Sequence, residues 1–185
     1  QALGMIGGHI EVFARDPERP TAVECLELVT TFHQRSFIEQ VHFAATANLI
    51  TTRATVDRVG PFDAARFSGG DVDWGRRAHA LGVLQAYAAD AIVHHPARRT
   101  WGELASRTRR LAGGVYDRAP RWMFILHGIR KALLPSATVI RRAWTSPRLS
   151  TRGQRLKAVA ASTWMRWLEA YHRFGLLLGR PRGRS

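Results

Sequence analysis

The sequence predicts an α/β body, residues 1–99, followed by a basic amphipathic α-helical tail, residues 100–185. Three observations predict it. Short apolar runs of strand length alternate with helix-period patterns in the first part. In the second part apolar residues recur only at helical spacing, as at 122, 125, 126, 129 and 133. Charge divides at nearly the same place: residues 1–96 carry 8 arginines against 11 acidic residues, and residues 97–185 carry 20 basic residues against 3 acidic ones. The whole chain of 185 residues has a net charge of +14, so its two parts are built for different partners.

Taken in order, Met5 to Ala14 reads as a strand in which Gly7-Gly8 marks a bulge or a close backbone approach. Arg15 to Pro20 is a turn. Thr21 with Glu24 three residues on forms a capping-box pattern for a helix with Val23, Leu26, Val29 and Phe32 on one face. Ser36 to Gln40 reads as a short helix and His42 to Thr52 as a buried strand. Arg53 to Val59 is a helix closed by Gly60-Pro61, and Gly69-Gly70 leads into another that carries Trp74, Ala78 and Leu81 and stops at Gly82. Leu84–Tyr87 and Ala91–His95 are two short strands. Cys25 is the single cysteine, which excludes an internal disulfide and a Cys-based zinc site. Gln1-Ala2-Leu3-Gly4 has no charged leader region, and the chain reads as the end of something longer.

The tail holds helical patterns from Thr100 or Trp101 to Leu111, from Ala119 to Leu134 with Pro120 at the start, from Val139 to Trp144, and from Arg155 to Leu178. No apolar run approaches the ~20 residues that span a bilayer. Five of the six tryptophans lie here among arginines, a pattern suited to an anionic lipid interface. Packing of these aromatics against the body, with arginines solvating the outside, is the plainer reading.

Candidate chemistry gathers around residues 68–77. Asp71 is placed at the helix cap, where free backbone N–H groups and the helix dipole keep a carboxylate ionised, as a base or a metal partner requires; on this segment alone simple capping is the commoner explanation. Asp73 lies within the first turn. Trp74 offers a flat face for a sugar or a side chain for the core. Asn48, polar in an apolar strand, either ties a neighbouring loop or faces a ligand.

The run Ala47-Asn48-Leu49, Arg53, Val59-Gly60-Pro61-Phe62-Asp63, Gly69-Gly70-Asp71-Val72-Asp73, Arg77 and His94-His95-Pro96-Ala97-Arg98-Arg99 resembles, in order and spacing, the second half of the catalytic domain of family-2 inverting glycosyltransferases of the GT-A fold. The resemblance covers roughly residues 5–114. It implies the C-terminal half of a Rossmann-like GT-A domain, with Asp71 as the general base that deprotonates an acceptor hydroxyl. It further implies Asn48, Asp73, Trp74 and Arg77 as acceptor- or substrate-binding residues. His95 would help hold a divalent metal, Mg or Mn, or the donor diphosphate. Gly70 stands where the family usually has a Glu that orients the acceptor.

The implied partners are a nucleotide-sugar donor and a glycan, lipid-carrier or small-molecule acceptor, with the tail resting on an anionic membrane at its cytoplasmic, inner face. The family's N-terminal half, which carries its nucleotide-binding strands and the Asp-x-Asp that grips metal and diphosphate, has no counterpart here, so the chain alone is expected to be inactive. The alternative is a non-catalytic basic module that binds anionic membrane or nucleic acid, with Asp71 a plain helix cap.

Overall fold

The computed structural model describes residues 3–66, 68–116, 121–133 and 136–178. In chain order the elements are β1 (Leu3–Phe13), α1 (Ala22–Thr30), α2 (Gln34–Ser36), β2 (Leu49–Thr51), α3 (Arg53–Val59), α4 (Gly70–Ala80), β3 (Leu84–Pro96), α5 (Trp101–Tyr116), α6 (Arg121–Leu133), α7 (Ala137–Thr145) and α8 (Arg152–Leu177). A π-helical turn, Phe37–Val41, follows α2, and a 3-10 turn, Thr46–Asn48, precedes β2. The chain forms two compact units, Gln1–Val12 with Phe32–His95, and Phe13–Thr31 with Pro96–Ser185. The break near residue 96 adjoins the boundary read from composition, but the second unit also takes in α1.

In the first unit the sheet order is β2-β1-β3. β1 and β2 pair antiparallel, with Met5 opposite Thr51 and Gly7 opposite Leu49. Met5, Ile38, Ala44, Val59, Trp74, Ala78 and Val83 form the core beneath it. Gly7 and Gly8 mark a close approach: a Cβ on Gly7 would meet Ile38 and Ala44, and one on Gly8 would meet the Asn48 amide and the Ala91 carbonyl.

The strand expected over 42–52 shrinks to three residues, and Asn48 lies on the 3-10 turn before it. Buried Gln34 explains the difference. Its amide donates to the carbonyls of Ala45 and Asn48 and accepts from Ala45 N–H, so side-chain bonds replace a strand ladder there. The two strands expected over 84–87 and 91–95 are one thirteen-residue strand, because Ala88-Ala89-Asp90 contains no glycine or proline to break it.

In the second unit α8 packs against α1, α5, α6 and α7. Val23, Leu26, Leu104, Val139 and Ala161 form one core cluster and Cys25, Val29, Ala143, Leu149 and Ala158 a second. Both long-range partners of this packing have capping boxes: Thr21 with Glu24 starts α1, and Thr151 with Gln154 starts α8. Glu24 also accepts from Arg15 N–H, fixing the turn that enters the helix. Buried Glu27 on α1 is paired with Arg98 at 2.6 Å and lies 3.9 Å from Arg107. The α5 helix runs through Gly113-Gly114 to Tyr116, five residues beyond the glycine stop read at Leu111. Pro120, read as a helix start, lies outside the described residues. Among the described residues no helix is long and apolar enough to cross a membrane.

Candidate functional site

The site read from the sequence falls in the first unit, on the 3-10 turn, α4 and the end of β3. Gly69, at φ 77° and ψ 30°, is the residue that caps α4, with no side-chain cap bond. The left-handed backbone there suits glycine and turns the chain into the helix. Asp71 is therefore the second residue of the helix and not its cap. One of its oxygens accepts the Val72 N–H at 2.9 Å, and this is its hydrogen bond among the described residues. Its carboxylate is half-buried, in a first turn where the backbone dipole favours a negative charge.

Asp73 has a different fate. Its oxygens are gripped by Arg66 at 2.5 Å and by Arg77 at 3.0 Å, and Arg66 also lies 3.4 Å from Asp63. Arg77 spends its remaining donors on the Val59 carbonyl at 2.6 Å and the Pro61 carbonyl at 2.7 Å. A planar fork with several donors fits this triple task. The Asp63–Arg66–Asp73–Arg77 network thus ties the loop after α3 to the first turns of α4. The structure commits both Asp73 and Arg77 to this scaffold, where the sequence reading had placed them on acceptor or substrate.

Trp74 is 1% exposed. Its indole N–H donates to the Gly60 carbonyl at 2.8 Å, and its ring stacks on Phe62 with centroids 5.4 Å apart. The structure gives this ring to the core, which leaves no face open for a sugar. Gly75, next on the helix, lets α4 approach the 42–43 backbone: a Cβ there would lie 2.6 Å from Phe43 Cα.

Buried Asn48 donates to the His9 carbonyl at 2.9 Å and to the Ala91 carbonyl at 2.8 Å, so its amide joins β1 to β3. Of the two roles open to it, it takes the structural one. His9 Nδ1 lies 3.0 Å from the Tyr87 hydroxyl across the same two strands. At the end of β3, the His95 ring packs at 56° to Phe32 with centroids 4.8 Å apart, and His94 Nδ1 lies 3.6 Å from Glu11. Among the described residues no three His, Cys, Asp or Glu side chains gather where they could hold a metal ion. His95 with its neighbours therefore does not make a cation site by itself.

Arg98, within the Pro-x-Arg-Arg stretch, is occupied in the second unit by Glu27. An open depression of about 340 Å³ lies between the start of β1, α3 and the end of α4, lined by Leu3, Thr52, Thr55, Arg58 and Val83 among others; it includes neither Asp71 nor His95. Sequence reading missed Arg66 and Gln34, whose roles are set by partners 7 to 14 residues away. Neither stands out locally: Gln34 lies between half-buried His33 and exposed Arg35, and Arg66 follows exposed Ala65.

What the first unit defines is a small three-stranded α/β body with a paired-carboxylate helix start. Over 112 residues the chain is 36% identical to the glycosyltransferase AglE of Haloferax volcanii. The match takes in 60% of this chain and 36% of that protein, so the chain spans about a third of the length of the curated relative. No protein-family model and no solved structure matches the chain.

Proposed function

We propose that the chain is part of a glycosyltransferase that moves a sugar from a nucleotide-sugar donor to a hydroxyl acceptor with inversion, using Asp71 as general base. The observation that carries the reading is the 36% identity to AglE over 112 residues. The ordered family-2 motifs in the chain's first part support a GT-A domain as its setting. The side-chain geometry supports the choice of base. Of the two first-turn carboxylates, Asp73 is held by two arginines, whereas Asp71 keeps an oxygen available to take a proton.

In this mechanism the acceptor hydroxyl attacks the anomeric carbon from the face opposite the leaving nucleoside diphosphate, and Asp71 takes the hydroxyl proton. Arg77, Asp73 and Arg66 are positioning residues that fix the α4 start, and Trp74 seats that helix in the core. Asn48 holds β1 and β3 together. A divalent cation would neutralise the departing diphosphate, but this chain's described residues do not compose a site for it, and no step is assigned to one. The acceptor is a glycan, a lipid carrier or a small molecule.

The test is Asp71→Asn in the full-length protein, with turnover of nucleotide sugar measured beside donor binding and circular dichroism. A loss of about 10²–10⁴-fold in turnover, with fold and donor binding intact, is expected of a general base. Unchanged turnover removes the assignment.

A further inference from the structure

In the second unit, α6 and the C-terminal half of α8 bury an ion pair beside Phe124 and Ala170 and leave large apolar side chains outside. Between them lies a charge: Arg173 on α8 is 4% exposed, pairs with Glu169 at 2.7 Å, stands 4.6 Å above the Phe124 ring and reaches the Phe124 carbonyl. Gly128 lies beside its stem. The outside is apolar. Trp122, Ile125, Leu126 and Ile129 are all exposed and, at spacings of three and four, fall on one stripe of α6, on the side away from Phe124. Trp167, Tyr171 and Phe174 make a like stripe on α8, continued by its C-cap residue Leu178, with Trp167 61% and Leu178 81% exposed. A helix on a water-facing surface shows the opposite arrangement, with its apolar stripe inward.

We propose that these two outer faces are a membrane-interface surface whose occupant is an anionic lipid bilayer, entered to headgroup depth without being crossed. The proposal does not depend on the glycosyltransferase reading. Charge selects the occupant. Residues 97–185 carry 20 basic residues against 3 acidic ones, and Arg130 flanks the α6 stripe, exposed. Such a surface repels a second copy of itself and is attracted to anionic headgroups, at about 1 kcal/mol for each basic residue near them. Tryptophan and tyrosine on the stripes suit the boundary between headgroups and acyl chains. No described helix is apolar enough to span, which leaves the in-plane mode.

The test uses the intact chain in flotation with phosphatidylcholine vesicles and with mixed phosphatidylcholine–phosphatidylglycerol vesicles. It adds quenching of tryptophan fluorescence by brominated acyl chains. Expected are binding to the anionic vesicles only, quenching there, and a loss of at least ~10-fold in affinity for Trp122→Gln/Leu126→Gln and for Trp167→Gln/Leu178→Gln. Circular dichroism of both variants should match the parent, because the replaced side chains are exposed. Failure of the parent to bind anionic vesicles overturns the proposal, as does equal binding by parent and variants. So does a dimer, seen by sedimentation, that both variants dissolve.

Discussion

Arg77→Lys separates a scaffold arginine from a substrate-binding one. In the structure the guanidinium donates at 3.0 Å to Asp73, at 2.6 Å to Val59 O and at 2.7 Å to Pro61 O. A lysine keeps the charge but, as a point donor, cannot span the three acceptors together. Two of the three bonds are then lost, each worth about 1.5–3 kcal/mol when a charged group takes part. The side chain is 36% exposed, so water recovers part of that, and the net loss should be about 2–3 kcal/mol. Equilibrium urea unfolding reads it as a lower midpoint at constant m-value. Because the network holds the α4 start, turnover should fall with little change in the affinity for donor. Stability within about 0.5 kcal/mol of the parent, together with a selective loss of donor or acceptor binding, would refute the reasoning and put the guanidinium on substrate.

Arg98→Met should destabilise by about 3 kcal/mol, since it strands the buried Glu27 carboxylate with only Arg107 nearby, and adding Glu27→Leu should restore most of the loss in the same urea assay. Gly75→Ala should cost about 1–3 kcal/mol despite alanine's better helix propensity, because the added Cβ meets Phe43 and His42 backbone that cannot yield cheaply; a rise in the urea midpoint would contradict this. Burial is the main influence that pushes the Cys25 thiol above its ordinary value of 9.0. The folded state therefore holds this proton to higher pH than the unfolded state does, and stability present below about pH 9 should decline as pH rises past it. Cys25→Ala should flatten that decline in unfolding curves taken across the same range.

Much of the fold was legible locally. The Thr21–Glu24 box and the Arg53–Val59 helix are each decided by residues within a few positions of one another, and each forms as read; the strand read over Met5 to Ala14 forms as Leu3–Phe13. Residues 42–48 look like strand because they are mostly apolar, but Gln34 supplies their hydrogen bonds from outside the segment. Asp71 looks like a cap because it follows two glycines, but Gly69 already makes the turn. At the candidate site, the sequence showed two acids two residues apart and could not say which was spoken for. Arg66, seven residues upstream, decided that.

By itself the sequence determined where α1 and α3 begin, how charge divides along the chain, and that a carboxylate pair opens α4, because caps, periodicity and composition act over a turn or two. Only the tertiary structure decided that α1 belongs with the basic unit, that Trp74 and Arg77 are tied to the backbone of the loop after α3, and that α6 and α8 turn their apolar stripes outward. Those outcomes depend on partners brought together from distant positions, such as Glu27 with Arg98, Asn48 with Ala91 and Phe124 with Arg173. Burial then makes each pairing matter, since a polar group removed from water must find its counterpart in the folded chain.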